Sequence, residues 1–251
     1  MTFMPEARLV RVAEGFWQSA RHIEGRFPRD IESAVAWSVP LFVVRLPHVS
    51  VRDVQNYLRQ RQLPVEIGTE DRPLHGCVVA IHGKGLIVVD GSDGANEVRF
   101  TLAHEVAHFL LDYQIPRQRA VARLGTNIEE VLDGHRPATR AERIDGILAH
   151  APIELYAHFM HRDDGDIRTN KILNAESHAD LLAFELLAPE TKVWRSLPKP
   201  FAKRTYQECT ATVRRLLARR FGLPTDAARQ YSTTLCRSRF GGPSVREWLG
   251  L

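Results

Sequence analysis

Residues 95–113 read ANEVRFTLAHEVAHFLLDY, and this stretch decides how the rest of the chain is read. Val98, Leu102, Val106, Phe109 and Leu110 recur at helical spacing, and no proline or glycine falls between 95 and 115, which predicts a helix. On that helix His104-Glu105-Val106-Ala107-His108 sets two histidines four positions apart. Such positions share a face, with Cβ atoms about 5–6 Å apart, so both imidazoles can reach one Zn²⁺ at about 2.0–2.1 Å. Glu105 lies about 100° round the helix from His104, outside the ligand set but beside it, where a carboxylate can take a proton from water. A helix with two incidental surface histidines has the same spacing. The flanks Leu102, Ala103, Val106, Ala107 and Phe109 weigh against it, because unpartnered imidazoles in so apolar a setting cost desolvation.

A hydrolytic zinc site takes three protein ligands and keeps one open position. The next strong helical pattern runs from Asn174 to Ala188 and stops at Pro189. It carries Glu176-Ser177-His178-Ala179-Asp180. Glu176 is the expected third ligand, with His178 and Asp180 as alternatives. Without a metal, Glu176 reads as an exposed first-turn acid favoured by the helix dipole. Asp180, one turn further on, is placed to accept from the outer N–H of a ligand histidine. An oxyanion donor is also needed, and Tyr113, Tyr156, His150, His158 and His161 qualify by type. Tyr156 and His158 stand out because they lie on the stretch returning to the second helix, and Tyr156 is taken as the catalytic candidate.

Working outward, Cys77–Ile81 and Leu86–Val89 are β-rich runs separated by HGKG, a hairpin signal. If Leu86–Val89 is an exposed edge, an extended peptide could pair with it. Residues 5–22 and 50–61 show helical periodicity; the second opens with Ser50 and Asp53, a capping-box start. Pro64 ends that helix, and Val65–Ile67 reads as a short strand. Residues 115–170, interrupted by Pro116, Gly125, Gly134, Pro137 and Pro152, are expected to form two or three short helices. Pro198 and Pro200 mark a linker. Beyond it, residues 217–231 (LARRFGLPTDAARQY) have helix-turn-helix spacing, a small residue followed four on by a glycine at a turn. Packing against the rest of the chain is the default reading of that pair, and DNA contact the alternative.

Composition narrows the class. The 251 residues are 44% hydrophobic and 25% charged, an ordinary globular balance. Glu6, Arg8 and Arg11 interrupt the N-terminus where a secretory signal needs an apolar core, and no apolar run approaches the ~20 residues of a membrane span. Three scattered cysteines without a CxxC pair speak against a disulfide framework and a thiolate zinc cluster. A cytoplasmic location is expected. Charge is unevenly placed: residues 191–251 carry 13 Lys and Arg against three acids, net +10, whereas residues 1–190 are net −6. That tail suits either a polyanion or a solvated basic face.

At this point RFTLAHEVAHFLL (99–111), the preceding hairpin and ESHADLLAFELLAP (176–189) together resemble the ImmA/IrrE family of bacterial metallopeptidases, over roughly residues 50–235. The resemblance implies a thermolysin-like centre with His104, His108 and Glu176 as metal ligands, Zn²⁺ (or Mn²⁺) as the ion and Glu105 as the base. It implies an endopeptidase cutting a cytoplasmic helix-turn-helix repressor in stress response, mobile-element transfer or phage biology. Some relatives are toxins paired with a repressor-like antitoxin, and a non-catalytic metal-bearing module binding repressor or DNA is a further alternative. The chain departs from the family in having Ala107 where glycine is usual, and in placing Glu176 as far as 68 positions after His108. The expected architecture is α+β: a small antiparallel sheet packed on helices carrying the HExxH zinc site, with a helical C-terminal extension. Its segments are an N-terminal helical extension (1–48), a metallopeptidase domain (49–190, with 115–170 an insertion) and a basic helical segment (191–251).

Overall fold

The computed structural model describes residues 7–23, 25–63, 65–67, 70–144, 151–162, 169–198 and 205–242. Its elements in chain order are α1 (Ala7–Ser19), α2 (Ile31–Ser38), β1 (Leu41–Leu46), α3 (Val51–Gln60), β2 (Leu74–Ile81), β3 (Lys84–Asp90) and α4 (Ala95–His108). A π-helical turn (Phe109–Gln114), α5 (Ile115–Leu124), a 3₁₀ turn (Thr126–Ile128), α6 (Glu129–Leu132) and α7 (Arg140–Ile144) follow. The chain continues with β4 (Leu155–His161), α8 (Asn170–Leu187), α9 (Glu190–Arg195), α10 (Tyr206–Phe221) and α11 (Thr225–Phe240). The class is therefore mixed α+β. Two compact units divide it, each assembled from several stretches: Val39–Gly94 with His104–Asp180, and Met1–Ser38 with Ala95–Ala103 and Leu181–Leu251.

The first of these units holds the sheet, in the order β1-β3-β2-β4. The β2–β3 hairpin turns at His82 and Gly83, whose φ values of 50° and 76° are both positive. That is the mirror-image turn whose twist matches paired strands. β4 pairs antiparallel with β2, but β1 pairs parallel with β3, so the sheet is mixed and not antiparallel throughout. The path from β1 to β3 passes through α3 and β2, long enough for a parallel return. The order also overturns the expectation for Leu86–Val89: β3 is flanked on both sides, and the edges are β1 and β4. The expected helical insertion is corrected too, because its last part enters the sheet as β4. Val65–Ile67 is not a strand: the Gln55 amide donates to Val65 O at 2.5 Å and accepts from Ile67 N at 3.0 Å, replacing a strand partner.

The period of two along a strand gives this sheet its two faces. Cys77, Val79 and Val88, with Leu155, Ala157 and Phe159 of β4, pack on Val54 and Leu58 of α3. The opposite face presents buried Val78, Ala80, Ile87 and Val89, with Tyr156 and His158 of β4 in register with Ala80 and Val78. α3 begins with a capping box in which Ser50 Oγ accepts from Asp53 N at 3.3 Å and Asp53 accepts from Ser50 N at 3.0 Å, closing two amides the helix leaves open.

In the second unit α10 ends at Gly222, whose φ of 67° is left-handed and suits a residue without a side chain. Leu217, Phe221, Leu223, Ala228 and Tyr231 are buried across the α10–α11 pair. Tyr231 stacks on Phe184 with centroids 4.4 Å apart, and Phe27 meets Phe221 edge-on. Trp17 and Arg29 both donate to Leu186 O, at 3.0 and 2.7 Å. The apolar side of the helical pair is thus core, while Arg214, Arg215, Arg219, Arg220, Arg229, Arg237 and Arg239 stay exposed. Among the described residues no helix is long and apolar enough to cross a membrane.

Candidate metal centre

Every residue from Phe100 to Leu110 is buried, and the helical repeat places His104 and His108 on one face among them. Their Nε2 atoms face each other at 3.1 Å. Glu176 comes from the next long helix, α8, with Oε2 at 3.4 Å from His104 Nε2 and 3.7 Å from His108 Nε2. Donors 2.0–2.1 Å from a tetrahedral ion lie about 3.3–3.4 Å from one another, so these three separations fit a common ion. β4 brings a fourth donor: His158 Nε2 lies 2.9 Å from Glu176 Oε1. One ligand atom from each of His104, His108, His158 and Glu176 falls within 4.8 Å of every other. Imidazole and carboxylate donors accept Zn²⁺ and its first-row neighbours alike.

The outer nitrogens are held as well. His104 Nδ1 lies 3.1 Å from Asp180 Oδ1, one turn beyond Glu176 on α8. His108 Nδ1 lies 2.8 Å from Asp112 Oδ2, and the Tyr156 hydroxyl donates to the same oxygen at 3.1 Å. His158 Nδ1 lies 3.0 and 3.2 Å from the two oxygens of Glu105. An ionised carboxylate only accepts, so each Nδ1 is the donor. No lysine or arginine among the described residues pairs with Glu105, Asp112 or Glu176.

This balance moves proton affinities. Burial alone would lower His104, but hydrogen bonds to Asp180 and Glu176 outweigh it and push it up to about 9. His158 likewise resists burial through the charge and hydrogen bonds of Glu105 and Glu176, reaching about 10. Glu176, which burial would raise, is held well below the carboxylate range by the three histidines. The Tyr156 hydroxyl is pushed up, by burial first and then by Asp112 and Glu105.

Of the residues singled out from sequence, His104, Glu105, His108, Glu176 and Asp180 converge here. Tyr156 lies against the Nδ1 edge of His108, 3.4 Å away, its proton engaged by Asp112. Tyr113 is buried and accepts from Gly83 N at 2.7 Å. His161 ends β4, and His178 is exposed and outside the donor group; His150 lies outside the described residues. Sequence reasoning missed Asp112, although its spacing of four from His108 carried the signal. It named His158 only as an oxyanion donor, not as a member of the donor group. A comparison with protein-family models and curated proteins found no match to this chain.

Proposed function

We propose that this chain is a metal-dependent endopeptidase of the ImmA/IrrE type, with Zn²⁺ or Mn²⁺ held by His104, His108 and Glu176. The observation that carries the reading is the placement of Glu105. It is fully buried and contacts His158, which in turn contacts the third ligand Glu176, so a carboxylate not in the ligand set faces the same small volume as the donors. A carboxylate beside the donors but outside the ligand set stands where a proton acceptor for the attacking water is needed.

When bound, the ion supplies Lewis acidity toward a carbonyl oxygen and makes water acidic near neutral pH. Glu105 accepts the proton of the attacking water and delivers it to the departing amine nitrogen. Asp180 and Asp112 hold the Nδ1–H groups of His104 and His108, which turns both Nε2 lone pairs toward the centre. β4 is an edge strand bearing His158, so a peptide laid along it as an added strand would pass beside Glu105. The substrate class, a cytoplasmic helix-turn-helix repressor or antitoxin, rests on the resemblance of the two helical motifs. The exposed arginines of α10 and α11 favour an accompanying contact with DNA or an acidic partner, as a non-catalytic module would also make.

Elemental analysis tests the centre. About one zinc per chain is expected in the wild type, with a marked loss of affinity in His104→Ala and Glu176→Ala. Unchanged affinity in Glu176→Ala would remove Glu176 from the ligand set, and a wild type that takes up no zinc when offered it at stoichiometry would sink the reading.

A further inference from the structure

The three histidines of the centre are built alike. Each sets Nδ1 on a carboxylate, Asp180 for His104, Asp112 for His108 and Glu105 for His158, at 3.1, 2.8 and 3.0 Å. Each turns Nε2 inward, His104 and His108 toward one another and toward Glu176 Oε2, and His158 toward Glu176 Oε1. A carboxylate on the outer nitrogen is the arrangement that orients a ligand histidine and raises its basicity. His158 has it as fully as the two histidines of the helix, although its ring lies flat over that of His108 with centroids 3.6 Å apart, so that sharing one ion requires the ring to tilt out of that stack. Its side chain is 14% exposed, the most accessible of the three, and it hangs from an edge strand.

We propose that His158 is a fourth protein ligand, so that the resting centre is a closed three-histidine, one-glutamate set and the chain is latent until β4 withdraws His158. This rests on the metal-dependent reading above and deepens it. The closure is double. The position that a hydrolytic zinc site keeps open is taken by an imidazole, and Glu105 is engaged as the carboxylate that orients that imidazole. One displacement frees both: moving His158 off the centre opens a coordination position and releases the two oxygens of Glu105 for proton transfer. The edge position of β4 gives that displacement a route, because among the described residues the strand pairs along one side, with β2. An extended segment pairing with its other side is the class of partner that would shift it.

Cobalt(II) loaded into the metal-free full-length chain reports the site through its visible spectrum, followed as azide is titrated in. The wild type is expected to show the intense bands of a four-coordinate centre and no change with azide, whereas His158→Ala shifts its bands as azide enters. Competition against a chelator is expected to show His158→Ala binding cobalt at least about 10–100-fold more weakly, the loss seen even for outer partners of a ligand. In wild type loaded with ¹¹³Cd, three imidazole nitrogens should couple to the metal, a readout that needs no variant to fold. A wild type that takes azide as the variant does, an unchanged affinity, or only two coupled nitrogens overturns the fourth ligand while leaving the metal-dependent reading intact. Failure of the wild type to bind cobalt or cadmium at all overturns both.

Discussion

Two groups of charged side chains in the sheet-bearing unit are neutralised by opposite means. At the end of β3, Asp90 is 2% exposed yet accepts from the amides of His48, Val49 and Ser92, from the Ser92 hydroxyl and from Arg162. Arg162 follows β4 directly and also holds Asp93 at 2.8 Å, while His75 occupies the other oxygen of Asp93. The chain supplies its own cation and its own donors. Around His104 and His108 no such fixed cation stands among the described residues: Glu105, Asp112 and Glu176 meet only histidines and a tyrosine hydroxyl as charge partners or donors. A buried ion that is fully hydrogen-bonded fixes structure, whereas acids that meet only imidazoles and a hydroxyl among the described residues form a group that could hold a cation from outside. The first group clamps β4 to the sheet; the second, carried partly by the same strand, is the centre.

The sharpest way to break this contrast is at Glu105. Glu105→Gln is expected to retain one metal per chain and to lower peptide cleavage by about 10²–10⁴-fold. The rate is best compared in the His158→Ala background as well, where opening of the centre does not limit it; an unchanged rate in both would end the general-base assignment. Metal removal comes next. With free metal at about 1,000 times Kd, binding contributes about 4 kcal/mol to stability, so chelation should lower the wild-type melting temperature and leave that of His104→Ala where it was. A smaller effect is expected at Asp112. Asp112→Asn should weaken metal binding about 10–100-fold by loosening His108, measured by competition with a chromophoric chelator, with the fold retained by circular dichroism.

The smallest effects belong to the self-sufficient cluster, and they should leave metal affinity untouched. Asp90→Asn is expected to cost about 1.5–3 kcal/mol in denaturant unfolding, the range for a hydrogen bond to a charged group. Burial would raise the Asp90 carboxyl, but Ser92, Arg162 and the His48 amide outweigh it and hold it well below the usual range. A group depressed in the folded state stabilises above its unfolded value of about 3.9 and loses that contribution as pH falls below it. The stability gap between wild type and Asp90→Asn should therefore be constant from neutral pH to about 4 and shrink below it. A gap that stayed open at lower pH would mean that shape rather than charge holds the clamp.

What could be read in the chain beforehand follows the range of the interactions. The helix bearing His104 and His108, the capping box at Ser50 and Asp53, the hairpin glycine and the spacing from Glu176 to Asp180 are all separated by four residues or fewer. There, helix and turn geometry alone sets the distance. Asp112 belongs with them and was legible on the same rule. β4 was legible only in part: Leu155, Ala157 and Phe159 alternate with Tyr156 and His158 before Met160 breaks the pattern, but nothing local says that this short run pairs with β2 at the edge of the sheet.

By itself, then, the sequence determined that two histidines share a buried helical face with a carboxylate beside them, and that a second helix offers another carboxylate with a partner one turn on. Only the tertiary structure decided that the sheet is mixed, that β3 lies inside it and β4 at its edge, and that His158 joins the donors. Strand order and cross-strand register depend on pairings between residues far apart in the chain. Those pairings depend on which surfaces the whole fold buries, and local propensity carries no record of that choice.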